Sequence, residues 1–294
     1  MTRKNDKESI LNIPKTEYNE DGWETKKEYR ELDFTNNFIF TEVMTDPELC
    51  KKLLEVILDV EIERIEYTEK EKTIEEKPDV KSVRLDVYVK DGKGTIYDVE
   101  MQVTNPQNLP MRSRYYQAQI DSSLLAKGEN YKNLNKSFVI FICKEGVFGQ
   151  GRPIYTFENR CVQNLELVLG DRTTKIFLNP KSKMDGISTE LANFLRFLID
   201  GIAVDEFTER LVKAVESVRK NPYLGVENMS FYASQWDAYD EGLDAGLSAL
   251  VSTLKPLLKD FDKVYEAVIK NEIYADVSRE KVLEYYDLKY KDIR

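Results

Sequence analysis

The chain has no histidine among its 294 residues. That excludes Ser-His-Asp and Cys-His catalysis, His-ligated zinc, and any nuclease whose base or metal ligand must be an imidazole. Its three cysteines, Cys50, Cys143 and Cys161, are isolated and show no CxxC spacing. Neither a zinc site nor a disulfide framework is indicated, and they read as small buried hydrophobes. No run of about 18 apolar residues occurs, and the opening MTRKNDKESILNIPK lacks an apolar stretch of signal-peptide length. A soluble, reduced, cytoplasmic protein without a membrane partner is expected. Positive charge is in deficit, with 43 Lys and Arg against 53 Asp and Glu, a net charge of −10 and a pI near 4.9. A basic coat over the whole surface is thereby excluded, although a local basic patch is not. Any chemistry rests on carboxylates, amides, Lys, Arg, Tyr or Ser.

What is present is ample for folding: 41% hydrophobic residues and 11% aromatic ones, more than disordered chains carry. Residues 1–30 are polar and read as a flexible N-terminal arm. Helical spacing runs from Phe38 to Leu58, with Asp46-Pro47 starting a fresh helix. Strand-like pieces follow at Glu63–Tyr67, Arg84–Lys90 and Thr95–Val103, the last two separated by Asp91-Gly92-Lys93-Gly94. A helix is expected over Leu109–Lys127, capped at Gly128, then a buried strand over Ser137–Cys143. A second hairpin is expected around Gly170-Asp171, pairing Leu167–Leu169 with Lys175–Leu178. From Ile187 the pattern is helical almost to the end, with breaks at Asn221-Pro222 and at Asp237–Leu247. The expectation is an α/β core with a mixed central sheet flanked by helices over 31–182, and an all-helical extension over 183–294.

The strands carry an unusual pattern. Asp86 shares a face with Arg84 and Tyr88, and Glu100 shares one with Asp98 and Gln102. A three-residue Gly92-Lys93-Gly94 loop sets Asp86 directly across from Glu100, with Cβ atoms ~5 Å apart. A two-residue loop would instead put the two acids on opposite faces. Two readings of the pattern stand: a hairpin with one solvated face, or a site for a hard cation such as Mg²⁺ or Mn²⁺.

An Asp on one strand and Glu-x-Gln on the next, after a leading helix, resembles the PD-(D/E)XK nuclease superfamily. More narrowly it resembles the Rpn-type recombination-promoting nucleases and transposases. The segments that carry the likeness are LDFTNNFIFTEVM (Leu32–Met44), VRLDVYVKDGKGTIYDVEMQ (Val83–Gln102), MRSRYYQAQIDSSLLAKGENYKNL (Met111–Leu134) and TTKIFLNPK (Thr173–Lys181). The resemblance implies a restriction-endonuclease-like core and a Mg²⁺- or Mn²⁺-dependent DNA endonuclease serving recombination or mobile elements. It implies Asp86, Glu100 and the Met101 carbonyl as metal ligands, and Gln102 in the third motif position, where the wider superfamily has Lys. A Lys at 102 is therefore expected to be tolerated. Arg112 and Tyr116, four apart on a helix, are expected to hold the scissile phosphate. Asn37, where many members have Asp, and Arg114 join them as DNA contacts.

Charge is segregated. Met111–Arg152 carries seven basic and three acidic residues, whereas Asp200–Asp244 carries four basic and ten acidic. The C-terminal helices, with Gly242 and Gly246 four apart beside Leu243, Leu247 and Leu250, are expected to serve self-association or to cover the basic face. The competing function is a catalytically silent DNA-binding or protein-assembly module that keeps the nuclease fold.

Overall fold

The protein is described here by a computed structural model covering residue 29 and residues 31–74, 83–104 and 107–287. The expected N-terminal arm and the side chains of Asp237, Ala238 and Asp240 lie outside the described residues. The chain divides into two compact units, Met1–Gly225 and Val226–Arg294.

The first unit opens with α1 (Asn37–Val43) and α2 (Pro47–Leu58). Asp46 caps α2, accepting from the Glu48 and Leu49 amides at 2.9 and 3.1 Å, with Pro47 at the first helical position. Strands β1 (Ile65–Ile74), β2 (Val83–Asp91) and β3 (Ile96–Gln102) form an antiparallel meander. Helix α3 (Leu109–Leu124) then crosses over to β4 (Ser137–Cys143), which is parallel to β3. Strands β5 (Ile154–Phe157) and β8 (Thr173–Leu178) complete a six-stranded mixed sheet in the order β1-β2-β3-β4-β8-β5. Between them, β6 (Arg160–Cys161) and β7 (Asn164–Val168) form a separate two-stranded sheet. The core is the expected mixed sheet flanked by helices. Among the described residues no helix is long and apolar enough to cross a membrane.

Four expectations are corrected. Strand β8 pairs with β4 and with β5, a strand the sequence reading missed, and β7 pairs with β6. Gly170 and Asp171 therefore link two sheets instead of turning one hairpin. Helix α3 stops at Leu124, with Leu125 already extended, so Gly128 lies beyond its cap. The core does not end at residue 182. Helices α4 (Thr189–Asp200) and α5 (Glu206–Lys220) bury Phe194, Leu195, Leu198, Phe207 and Leu211 and belong to the first unit. Their strongly one-sided apolar faces have to be covered, and α1 and α2 supply the cover. Finally, Asp237–Leu247 is no break, because α6 runs unbroken over Pro222–Leu258. Glycines four apart raise the helix-forming cost by only about 1 kcal/mol each and do not stop it.

The second unit packs Leu247, Val251, Val264, Val268 and Val282 into its own core, with α7 (Phe261–Ile269) and α8 (Arg279–Asp287) around them. A Cβ on Gly246 would run into the Tyr274 hydroxyl. That small residue thus serves packing within the unit.

The β2–β3 turn positions the site. Asp91 accepts from the Lys93 and Thr95 amides at 2.9 and 2.8 Å and from the Tyr97 hydroxyl at 2.9 Å. Gly94 adopts φ +79°, the left-handed position that a three-residue loop needs. Asp91→Ala strands two amides and a phenol, and is expected to cost about 2–3 kcal/mol in a denaturant titration. An unchanged midpoint would show that the turn holds its register without this carboxylate.

Candidate active site

The β2–β3 ladder pairs Lys90 with Ile96 and continues to Val87 with Val99. This is the register of the three-residue loop, and it brings Asp86 opposite Glu100. There the carboxylates step into the ladder. The Asp86 amide donates to Glu100 Oε1 at 2.9 Å, and the Met101 amide donates to Asp86 Oδ2 at 3.1 Å. Each side chain accepts a backbone amide of the neighbouring strand, so hydrogen bonds fix both acids, with Glu100 only 1% exposed and Asp86 half-buried.

Three further elements converge on this pair. From the start of α1, Asn37 Nδ2 donates to Asp86 Oδ1 at 3.3 Å, while its own buried Oδ1 receives no donor among the described residues. From α3, Arg112 donates to Gln102 Oε1 at 2.9 Å, to Glu100 Oε2 at 3.4 Å and to the Tyr116 hydroxyl at 2.8 Å. Its guanidinium also lies 5.3 Å from the Tyr116 ring centre and 5.5 Å from that of Phe141. Gln102 Nε2 donates to the Met101 carbonyl at 3.1 Å. A carbonyl has two lone pairs, so that oxygen keeps one for another ligand.

Electrostatics mark the cluster as under strain. Burial pushes the Asp86 carboxyl up to about 6, against the pull of the Met101 amide, Asn37 and Arg112. Burial, and then the charge of Asp86, raises both Glu100 and Asp98 well above the usual carboxylate range. Burial pushes the Tyr116 phenol up to about 12, so it acts as a hydrogen-bonding group and not as a base.

Among the described residues no three acidic or cysteine side chains converge on one point. The site offers a cation two facing carboxylates together with the neutral oxygens of Met101 and Asn37. Mg²⁺, which keeps several waters and binds through one or two carboxylates, fits such a set, and so does Mn²⁺.

The sequence signature of the PD-(D/E)XK nuclease family transposases matches residues 30–197, more than half of the chain. The chain belongs to that family. No curated protein and no solved structure matches it.

Within this nuclease-family fold, Asp86, Glu100, Gln102, Met101, Arg112, Tyr116 and Asn37 lie together. Arg114 does not join them: it is exposed and, two residues from Arg112, points roughly 200° around the helix. Two acids were missed. Asp98 is fully buried on the Glu100 face, and among the described residues no hydrogen-bond donor reaches either of its oxygens. Its signal was visible as a second acid in β3's alternation, two residues before Glu100. Glu71 falls between Lys70 and Lys72, which pair with Val87 and Leu85, and so sits across from Asp86. Its charge adds to the rise of the Asp86 carboxyl, and it adopts φ +54°. The sequence pattern ended that strand at Tyr67, four residues too early to reach it.

Proposed function

We propose that this family member is a Mg²⁺- or Mn²⁺-dependent DNA endonuclease that hydrolyses phosphodiester bonds during recombination or mobile-element movement. The observation that carries the proposal is the Asp86–Glu100 pair. Glu100 is buried and Asp86 half-buried, each carboxylate is held by a backbone amide, and their mutual repulsion when ionised is what a bound cation would relieve. Asp86, Glu100 and the Met101 carbonyl are the groups to hold it, and when bound it supplies positive charge at the scissile phosphate and acidifies a water.

The chain's own residues do the positioning. Asn37 fixes the orientation of Asp86. Gln102, clamped at its oxygen by Arg112 and at its amide by Met101, is placed to orient a water but carries no charge. The cation that the wider superfamily places on this strand is supplied instead from α3: Arg112 reaches Glu100 and Gln102 and is oriented by Tyr116. It is the group to stabilise charge on the phosphate. Plasmid nicking is expected with Mg²⁺ or Mn²⁺ and not with EDTA. DNA binding without cleavage under either metal would overturn the proposal in favour of a silent binding module.

Arg112 also changes the expectation for Gln102→Lys. A Lys there would set an ammonium against the guanidinium, with loss of the 2.9 Å bond. Gln102→Lys is now expected to lower stability by about 1–2 kcal/mol and to reduce nicking. Arg112→Ala alone should cost roughly 100-fold in nicking. The double variant should recover part of that loss, because the cation has moved to the strand. Simple additivity of the two losses would show that the positions do not share this role.

A further inference from the structure

The β6–β7 hairpin presents side chains that a solvated loop has no need of. Val162 is 84% exposed, Leu165 70% and Leu169 69%, and Leu167 and Val168 lie open beside them. Every residue of β7 is exposed. Together they offer on the order of 500 Å² of apolar surface, near the top of what monomers ordinarily show. Nothing blunts the strand: Asn-Leu-Glu-Leu-Val contains no Lys and no Pro, the usual guards of an open edge.

Backbone bonding within the hairpin shows which groups face outward. The Leu169 amide donates to the Asn159 carbonyl at 2.8 Å, and Val168 lies opposite Arg160, whose guanidinium reaches the Leu165 carbonyl at 3.0 Å. Leu169 thus turns its backbone groups toward β6, and so by alternation does Leu167; the register then shifts, so that Asn164 lies opposite Cys161. By alternation, Glu166 and Val168 turn theirs to the open edge. In the isolated chain, the Asn164 side chain holds the Glu166 amide at 3.2 Å.

We propose that β7 is a self-association edge. It pairs antiparallel with β7 of a second copy of this chain, about a two-fold axis at Leu167. The occupant follows from register. An axis between residues would oppose outward-facing and inward-facing groups and make no bonds. An axis at Glu166 would set two like charges across from each other, and one at Val168 would set Leu165 against Asp171 of the second copy. An axis at Leu167 pairs Glu166 with Val168 of the second copy through two backbone bonds, and aligns Leu165 with Leu169 and Leu167 with its own copy. The contact is self-complementary, as a two-fold interface must be. With the paired edge, the apolar area approaches the ~800 Å² per partner of a standard interface.

Topology leaves the candidate active site free in such a pair. The hairpin leads into β8 at Thr173, which aligns with Ser137 and through it with Ile96, the first residue of β3. Asp86 and Glu100 lie toward the other end of β3, two strands away from β8.

Light scattering of the full chain over a wide concentration range is expected to show a monomer–dimer equilibrium. Leu167→Arg, at an exposed position, should weaken dimerisation roughly 30-fold or more while leaving the thermal midpoint of the monomer unchanged. In a Cys161→Ser background, Leu167→Cys should crosslink to itself on oxidation. Glu166→Cys should crosslink only when mixed with Val168→Cys. A monomer at every concentration, or a dimer indifferent to Leu167→Arg, overturns the proposal, as does self-crosslinking of Glu166→Cys in place of Leu167→Cys. Loss of the dimer only on removal of the C-terminal unit would overturn it equally.

Discussion

Glu100→Gln is expected to abolish metal-dependent nicking, by about 10³-fold or more, while making the metal-free protein more stable. The two effects have one cause. An amide at this position still offers an oxygen to the Asp86 amide, so the 2.9 Å bond that replaces a ladder hydrogen bond survives. What disappears is a buried negative charge facing Asp86 and Asp98, along with half of the anionic donor set for a cation. Asp86→Asn should behave in the same way, because its side-chain oxygen can continue to accept from Met101. The alanine variants are less clean, since each leaves a strand amide without an acceptor and costs about 1–3 kcal/mol for that reason. Relief of repulsion should raise the thermal midpoint of the amide variants by a few degrees, at about 2–4 °C per kcal/mol for a domain of this size. Nicking that persists in Glu100→Gln would remove the nuclease assignment. A falling midpoint would show that the carboxylates are compensated within the protein itself.

How much of this was legible in the sequence differs from element to element. The β2–β3 hairpin was readable because two glycines flanking Lys93 admit few turns, and the turn fixes the register that faces Asp86 with Glu100. Helix α2 was readable from Asp46-Pro47, a local cap signal. The misreadings came where distant contacts override local pattern. Leu167–Leu169 looks like half of a hairpin with Lys175–Leu178, yet β8 takes the interior place between β4 and β5. Burying Phe177 and Leu178 on both faces there outweighs the nearer pairing. Within the site, Arg112 and Tyr116 could be placed on one helix face by spacing. That Arg112 would reach across to Gln102 and Glu100 depends on how α3 packs over the sheet. No spacing rule gives that packing. The same holds for Glu71, brought opposite Asp86 by the pairing of a strand whose polar sequence carries almost no alternation.

Metal-free protein is expected to lose stability as pH rises from about 5 to 8, and to regain it on addition of Mg²⁺. In the unfolded chain Asp86, Asp98 and Glu100 titrate near 4. In the folded chain Asp86 titrates at about 6, and burial together with the charge of Asp86 raises Asp98 and Glu100 well above the ordinary carboxylate range. Between the unfolded and folded values the native state therefore binds more protons than the unfolded one, and stability falls with increasing pH. For Asp86 the fall lies between about 4 and 6, and the other two act in the same sense. A two-unit displacement corresponds to roughly 2–3 kcal/mol for Asp86 alone. Asp33, beside Lys144 and Thr35, works in the opposite sense, because its carboxyl is held below the ordinary range. Its contribution is lost only as pH falls through that lower value, outside the window in question. The absence of histidine makes the measurement readable: no imidazole titrates between pH 5 and 8. A decline in thermal midpoint across that range in EDTA thus belongs to the raised carboxyls. Glu100→Gln should flatten it, and Mg²⁺ at pH 8 should reverse it in the native sequence by binding only the folded carboxylate pair. A midpoint that holds level or rises from pH 5 to 8 without metal would mean that the three acids are ionised at little cost, and that no unmet charge waits there for a cation.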